Sequence, residues 1–248
     1  MPRFYFKPAN IKDGVVLLDK KESHHAISVL RLKSGDVLEL FDGEGHRFSG
    51  MVTQIKDGRV SVMKNENLQV LQTSDIEVSL GVSVIKPERM ELLIQKACEL
   101  GVFSIIPLQT QRSVVKLPAE RWEAKIKRWE KIAQESCKQC GQSRIPRIIG
   151  VQDYRIFLQQ SSSYDLMLIP TLTAKSKRLS EALAVSRPKK ILTLIGPEGD
   201  FTPEEVQWAL TQGAVPVSLG PLVLRSETAA MYLLSALSFY YREVRNEK

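Results

Sequence analysis

Apolar positions in the first seventy or so residues come in short runs: FYF at 4–6, VVLL at 15–18, DVLELFD at 36–42, RFSGMVTQI at 47–55 and RVSVMK at 59–64. The turns between them carry Asp-Gly at 13–14, 42–43 and 57–58. Short runs rich in β-branched and aromatic residues, closed by such dipeptides, predict strands joined by tight turns. Together they predict a small barrel. One helix, over about 23–30, interrupts it and ends in the basic Arg31 and Lys33.

After residue 72 the period changes. IEVSLGVSVI at 76–85 reads as a fully buried strand, and PERMELLIQKACELG at 87–101 as an amphipathic helix closed by Gly101. The alternation continues with SIIPLQT at 104–110, a long helix over 121–139, DLMLIPT at 165–171, KKILTLIG at 189–196 and AVPVSLG at 214–220. Buried strands alternating with helices predict a parallel sheet covered on both faces. The division is therefore 1–72, a β-barrel, and 73–248, an α/β domain. Within the second, Thr202, Pro203 and Glu205 form a capping box with proline at the first helical position, so a helix starts directly after the turn at 196–201. A last helix runs over 226–245 with Ser226 as its N-cap. Its stripe of Met231, Leu234, Leu237, Ser238 and Tyr241 is compatible with a subunit interface or with ordinary core.

Composition adds a polyanionic partner. The 248 residues carry a net charge of +7. Between Arg112 and Arg147 there are ten Lys or Arg against four Glu, so this one segment holds most of the excess. Residues 1–72 are nearly balanced, with eleven basic and nine acidic side chains, and the barrel is open to reading as an RNA-binding or a packing module. Three cysteines, Cys98, Cys137 and Cys140, suit a reducing, cytoplasmic setting. Cys137 and Cys140 form a CxxC at the end of a helix, with no second pair at zinc-ligand spacing, so a structural role is expected and no metal. Adjacent His24 and His25 point in different directions and suit a turn. No apolar run reaches membrane-spanning length.

Candidate chemistry lies in the last quarter, where GPEGDF at 196–201 and LGPLVLRSETAA at 219–230 each follow an apolar run. Glycine turns at the carboxyl ends of buried strands are where open α/β sheets bind ligands, because backbone amides can approach closely and the next helix presents its N-terminus. No GxGxxG follows the first strand of this region and no GxxxxGK[ST] is present, which argues against a dinucleotide or a nucleoside triphosphate. The apolar stretches 195–199 and 219–223 suit a nucleoside-like ligand held mainly by backbone.

GPEGDFTPEE, LGPLVLRSETAA, RMELLIQKACELGV at 89–102 and RWEKIAQESCKQCGQSRIP at 128–146 together resemble the RsmE family, the rRNA uridine-N3 methyltransferases of the SPOUT class. The likeness spans essentially the whole chain, including MPRFYF at the start and SHHAISVLRLKSGDVLELFDGEG at 23–45. Two positions depart from the family pattern: Asp200 stands where GPEGG has its last glycine, and Leu222 where LGxRILR has arginine.

The resemblance implies a PUA-like barrel and an α/β domain with a deep trefoil knot, a homodimer, and S-adenosylmethionine as donor to N3 of a uridine in 16S rRNA of the small ribosomal subunit. The donor site it implies comprises Leu168, Pro170, Thr171, Ile195, Gly196, Pro197, Glu198, Gly199, Leu219, Gly220, Leu222, Leu224 and Thr228. Arg225 is expected to stabilise charge on the uracil oxygens or to grip a phosphate. Glu227 or Glu198 is expected to take the N3 proton, although an acid in a first helical turn also serves the helix dipole. Arg3, Arg31, Arg112, Lys138, Gln139 and Arg144 are the expected RNA contacts, with Lys116, Arg121, Lys125 and Arg128 along the same basic segment. A ribose 2′-O methyltransferase and a non-catalytic RNA-binding assembly factor are the rival readings.

Overall fold

A computed structural model describes residues 1–68, 76–115, 117–172, 176–184 and 188–244. The expected domain boundary at 72/73, Lys116 and the expected helix end at Arg245 lie outside the described residues. Two compact units are present, Met1–Gln72 with Gln134–Ile145, and Thr73–Ala133 with Pro146–Lys248.

The first unit is a six-stranded sheet of β1 (Arg3–Tyr5), β2 (Ile11–Lys12), β3 (Val15–Leu17), β4 (Val37–Phe41), β5 (Arg47–Lys56) and β6 (Arg59–Leu68), in the order β1-β4-β5-β6-β3-β2. Only the β1–β4 pairing is parallel. Phe4, Val16, Leu18, Leu38, Leu40, Val60 and Val62 fill its core. Asp13 and Gly14 have φ of 50° and 79°, and Asp57 and Gly58 have 51° and 69°. Two consecutive left-handed residues give the turn whose twist matches a hairpin, which is why Asp-Gly closes β2–β3 and β5–β6.

The helix expected at 23–30 begins earlier. Asp19 caps α1 (Lys20–His24) by accepting a hydrogen bond from the Glu22 amide at 2.7 Å, and the chain then widens into a π-turn over His25–Val29. Arg31 follows with φ of 54°. Lys138 in the 134–145 segment pairs with the buried Glu22 at 2.6 Å and lies over the Phe4 ring. Cys140, hydrogen-bonded toward Cys137 and half-buried, has its thiol pushed well above the ordinary range. That suits a structural cysteine.

The second unit is a parallel sheet of β7 (Glu77–Ser83), β8 (Ser104–Gln109), β9 (Arg147–Ile148), β10 (Gln152–Asp153), β11 (Leu166–Pro170), β12 (Lys177–Arg178), β13 (Lys190–Ile195) and β14 (Val215–Ser218). Its order is β10-β8-β7-β13-β11-β14-β12, with β9 also on β8. β7, β8, β11 and β13 are buried almost throughout, as a sheet covered on both faces requires. The helices are α2 (Pro87–Glu99), α3 (Ala119–Cys140), α4 (Tyr154–Gln159), α5 (Leu179–Ala184), α6 (Pro203–Thr211) and α7 (Ser226–Phe239), which packs on α2. α3 begins in this unit and ends in the first.

The apolar stripe on α7 is buried in part, with Met231 and Ser238 half-buried. Leu234, Leu237 and Tyr241 are buried, and the large apolar side chains left exposed on this stretch are Tyr232 and Phe239, at 49% and 57%.

Candidate active site

Three neighbouring strands, β13, β11 and β14, end side by side, and the turns that follow them enclose a cleft of about 330 Å³. Pro170, Thr171 and Leu172 come from the end of β11, residues 195–200 from β13 and its turn, and Leu219, Gly220, Leu222, Val223 and Leu224 from the turn after β14. Ser226 and Ala229, one helical turn apart, bring the start of α7 against it. The two glycine turns picked out by the sequence therefore share one pocket.

Local geometry explains the first turn. Gly196 packs so closely that a Cβ there would lie 3.0 Å from Asp200 Oδ1 and 3.1 Å from the Phe201 amide nitrogen. The Asp200 amide donates to the Pro197 carbonyl at 3.0 Å, closing the turn with Asp200 at φ of 60°. Aspartate is among the residues that enter this left-handed region, and its carboxylate accepts from the Phe201 amide at 2.7 Å. The departure from glycine at this position thus keeps the turn. Gly220 needs its freedom for a different reason, a φ of 111° with open space around it.

Behind the turn, Thr202 and Glu205 make the expected capping box at the start of α6. Glu205 Oε1 also accepts from the Gln111 amide at 2.8 Å, and Arg112 Nη1 donates to the Gly199 carbonyl at 2.5 Å. The loop after β8 is thereby stitched to the wall of the cleft.

Some expected residues fall elsewhere. Leu168 is fully buried inside the sheet, in register with Thr193 and Val215, and Thr228 is exposed on α7; neither lines the cleft. Ser226 is the first residue of α7 and not its N-cap, which is Arg225. Its hydroxyl instead donates to the Gly196 carbonyl at 2.7 Å, tying the helix to the first turn. Leu172, Asp200, Val223, Ser226 and Ala229 also line the cleft, beyond the donor contacts the sequence implies. The last two share a helix face, a spacing legible once the helix start is known.

Of the expected catalytic side chains, Glu198 lines the cleft, Arg225 is exposed beside it in sequence, and Glu227 is buried in the first turn of α7. Leu222 and Val223 are 73% and 81% exposed, so the position where the family pattern carries arginine presents an apolar rim.

The expected RNA contacts divide sharply. Arg31, Gln139 and Arg144 are exposed, and Arg112 is exposed while bonded to the Gly199 carbonyl. Arg3 is half-buried, paired with Glu39 at 2.8 Å, and donates to the Cys137 and Gln142 carbonyls, so its guanidinium is taken up by the fold. Lys138 is likewise held by Glu22. Along α3, Arg128 makes a two-pronged pair with Glu91, and Arg121 is exposed while Lys125 is partly so. Asp42, Glu44 and His46 place donor atoms within 4.8 Å of one another. Asp42 accepts there from the Glu44 and His46 amides and from the His46 ring, so the group closes its own turn.

Comparison with known proteins agrees with this geometry. The model of the RNA methyltransferase domain matches residues 72–238, and that of the RNA methyltransferase PUA domain matches residues 18–62. The chain is 32% identical to ribosomal RNA small subunit methyltransferase E of Bacillus subtilis, over 92% of this chain and 91% of the relative. Among solved structures, a putative methyltransferase of Legionella pneumophila in complex with the bound cofactor SAM superposes with a TM-score of 0.85 at 34% identity, covering 95% and 96% of the two chains. Ribosomal RNA small subunit methyltransferase E from Neisseria gonorrhoeae, bound to S-adenosyl methionine, gives 0.87 at 29% identity, covering 97% and 98%.

Proposed function

We propose, from the premise that this chain belongs to the RsmE family of RNA methyltransferases, that it methylates N3 of a uridine in 16S rRNA of the small ribosomal subunit. The observation that carries this reading is the cleft at the ends of β11, β13 and β14, walled by two glycine turns and by few charged side chains. A Cβ at Gly196 would press on its own turn, which fits a backbone cradle for a flat nucleoside. S-adenosylmethionine fits such a site, held by Pro170, Ile195, Gly199, Leu219, Gly220 and Leu224, and supplies an activated methyl on a sulfonium.

The residues of the chain then have three jobs. The turns align the acceptor with the methyl and exclude water. Arg225 offers planar donors to the charge that grows on the uracil oxygens. Glu198, which lines the cleft, or Glu227, buried behind it, accepts the N3 proton; the freed N3 pair forms the new N–C bond as the S–C pair returns to sulfur. The target base is unstacked when it reacts, since N3 is covered in a paired duplex.

The same reading divides the chain into an RNA-binding PUA-like domain over 1–72 and a methyltransferase domain over 73–248, whose late turns are threaded as a trefoil knot. It places the chain in the cytoplasm with its substrate. Among the described residues no helix is long and apolar enough to cross a membrane. It also pairs two copies, supported by exposed Tyr232 and Phe239 beside a groove lined by Leu179, Leu183 and Ala236.

Nucleoside mass spectrometry tests the reaction. Small-subunit rRNA from cells lacking the gene, incubated with purified protein and S-adenosylmethionine, should gain 3-methyluridine. A ribose-methylated nucleoside in its place, or no methylation, overturns the reading.

A further inference from the structure

Arg89 lies in the first turn of α2, outside both glycine turns and outside the basic segment. A cation there sits at the positive end of the helix dipole, so the position calls for compensating anions. Two carboxylates supply them. Arg89 Nη1 is 3.7 Å from Glu198 Oε1, and Arg89 Nε is 4.0 Å from Glu227 Oε1. Glu198 belongs to the turn after β13 and Glu227 to the start of α7. One guanidinium is thus shared by an acid that lines the cleft and one buried at the start of α7.

These separations exceed hydrogen-bond length, so Arg89 acts as a charge placed between two acids and not as a forked donor. Glu227 is the more constrained partner. Its side chain is 8% exposed, and its second oxygen, Oε2, is buried with no hydrogen-bond partner among the described residues. A buried acceptor left without a donor is costly and calls for an explanation. A group that must receive a proton during turnover is one that keeps an acceptor open.

We propose that Arg89 is a positioning residue for methyl transfer: it fixes the Glu227 carboxylate as proton acceptor and couples it to the turn carrying Glu198. This rests on the uridine-N3 reading above and on Glu227 as its acceptor. Arg89 itself does not line the cleft. Because the pairing is long-range, lysine at this position should serve nearly as well as arginine, whereas a neutral side chain should not.

The test uses full-length Arg89→Lys, Arg89→Met, Glu227→Gln and the double variant Arg89→Met/Glu227→Gln. Two quantities are read, the single-turnover rate on small-subunit rRNA and the calorimetric affinity for S-adenosylmethionine. Glu227→Gln should slow the chemical step about a hundredfold, within the range of a positioned proton acceptor, and Arg89→Met, which acts through it, about tenfold. Donor affinity should change far less, which also shows that the variants are folded. Arg89→Lys should restore most of the rate, and Arg89→Met should add no further loss in the Glu227→Gln background. Additive losses, an Arg89→Met defect confined to donor affinity, or failure of lysine to rescue would overturn the proposal. Should Arg89→Met not fold, Arg89→Gln takes its place with the same criteria. A Glu227→Gln variant as fast as wild type, still making 3-methyluridine, would remove the acceptor and leave the function standing; a wild-type protein making none would remove the function itself.

Discussion

The cleft after β11, β13 and β14 and the basic stretch from Arg112 to Arg147 were both conspicuous in the sequence, yet the fold treats them differently. The cleft is drawn by the backbone: a Cβ at Gly196 would press on Asp200 and Phe201, and Gly220 holds a torsion that other residues avoid. A glycine in such a turn carries its information locally, and the structure assembles it as the spacing implied. The basic stretch is counted in charges, and a count does not say where each charge is spent. Lys138 is spent on Glu22, Arg128 on Glu91 and Lys127 on Glu123. What remains exposed among its expected RNA contacts, beside the paired Arg128, is Arg112, Arg121, Gln139 and Arg144.

The largest effect that sharpens this contrast comes from Lys138→Met. Removing one partner of a buried pair leaves Glu22 charged without compensation, and the protein should lose about 3 kcal/mol of unfolding free energy in urea melts. Burial already holds the Glu22 carboxyl above its ordinary range, against the opposing effect of Lys138 and alongside Asp19 and Glu135. A raised folded-state value favours the protonated form, so the deficit should shrink as pH falls and grow as pH rises. The salt dependence of RNA binding should stay as in wild type; a clear change would make Lys138 a phosphate contact after all.

Gly196→Val is next. A branched side chain where a Cβ already meets Asp200 and Phe201 should displace the turn and weaken S-adenosylmethionine binding on the order of fiftyfold by calorimetry. Near-normal affinity would mean that the cleft does not hold the donor. The smallest expected effect is that of Arg144→Ala, which should lower the slope of log affinity for rRNA against log salt by about one while leaving donor affinity intact. An unchanged slope would remove Arg144 from the RNA surface.

The same contrast explains what the sequence made legible. Strands closed by Asp-Gly and the box at Thr202 and Glu205 follow local rules, and they sit where those rules put them. Ser226 illustrates the limit: serine is a good N-cap, but its hydroxyl is drawn to the Gly196 carbonyl thirty residues away, a partner no local window contains. The places of Arg3 and Leu168 are hidden for the same reason, since one is set by Glu39 and the other by flanking strands. Arg89 is illegible in the sequence because an arginine on an amphipathic helix looks like a solvated charge until Glu198 and Glu227 are folded against it.

The left-handed Asp200 has an evolutionary consequence. Its turn asks only for a residue at ease with positive φ, and aspartate repays the change by binding the Phe201 amide. Glycine and aspartate codons are separated by a single base, as are those of aspartate and asparagine. Lineages can therefore drift among these residues without rebuilding the turn, and a search pattern that insists on glycine at the last position would overlook working members of the family.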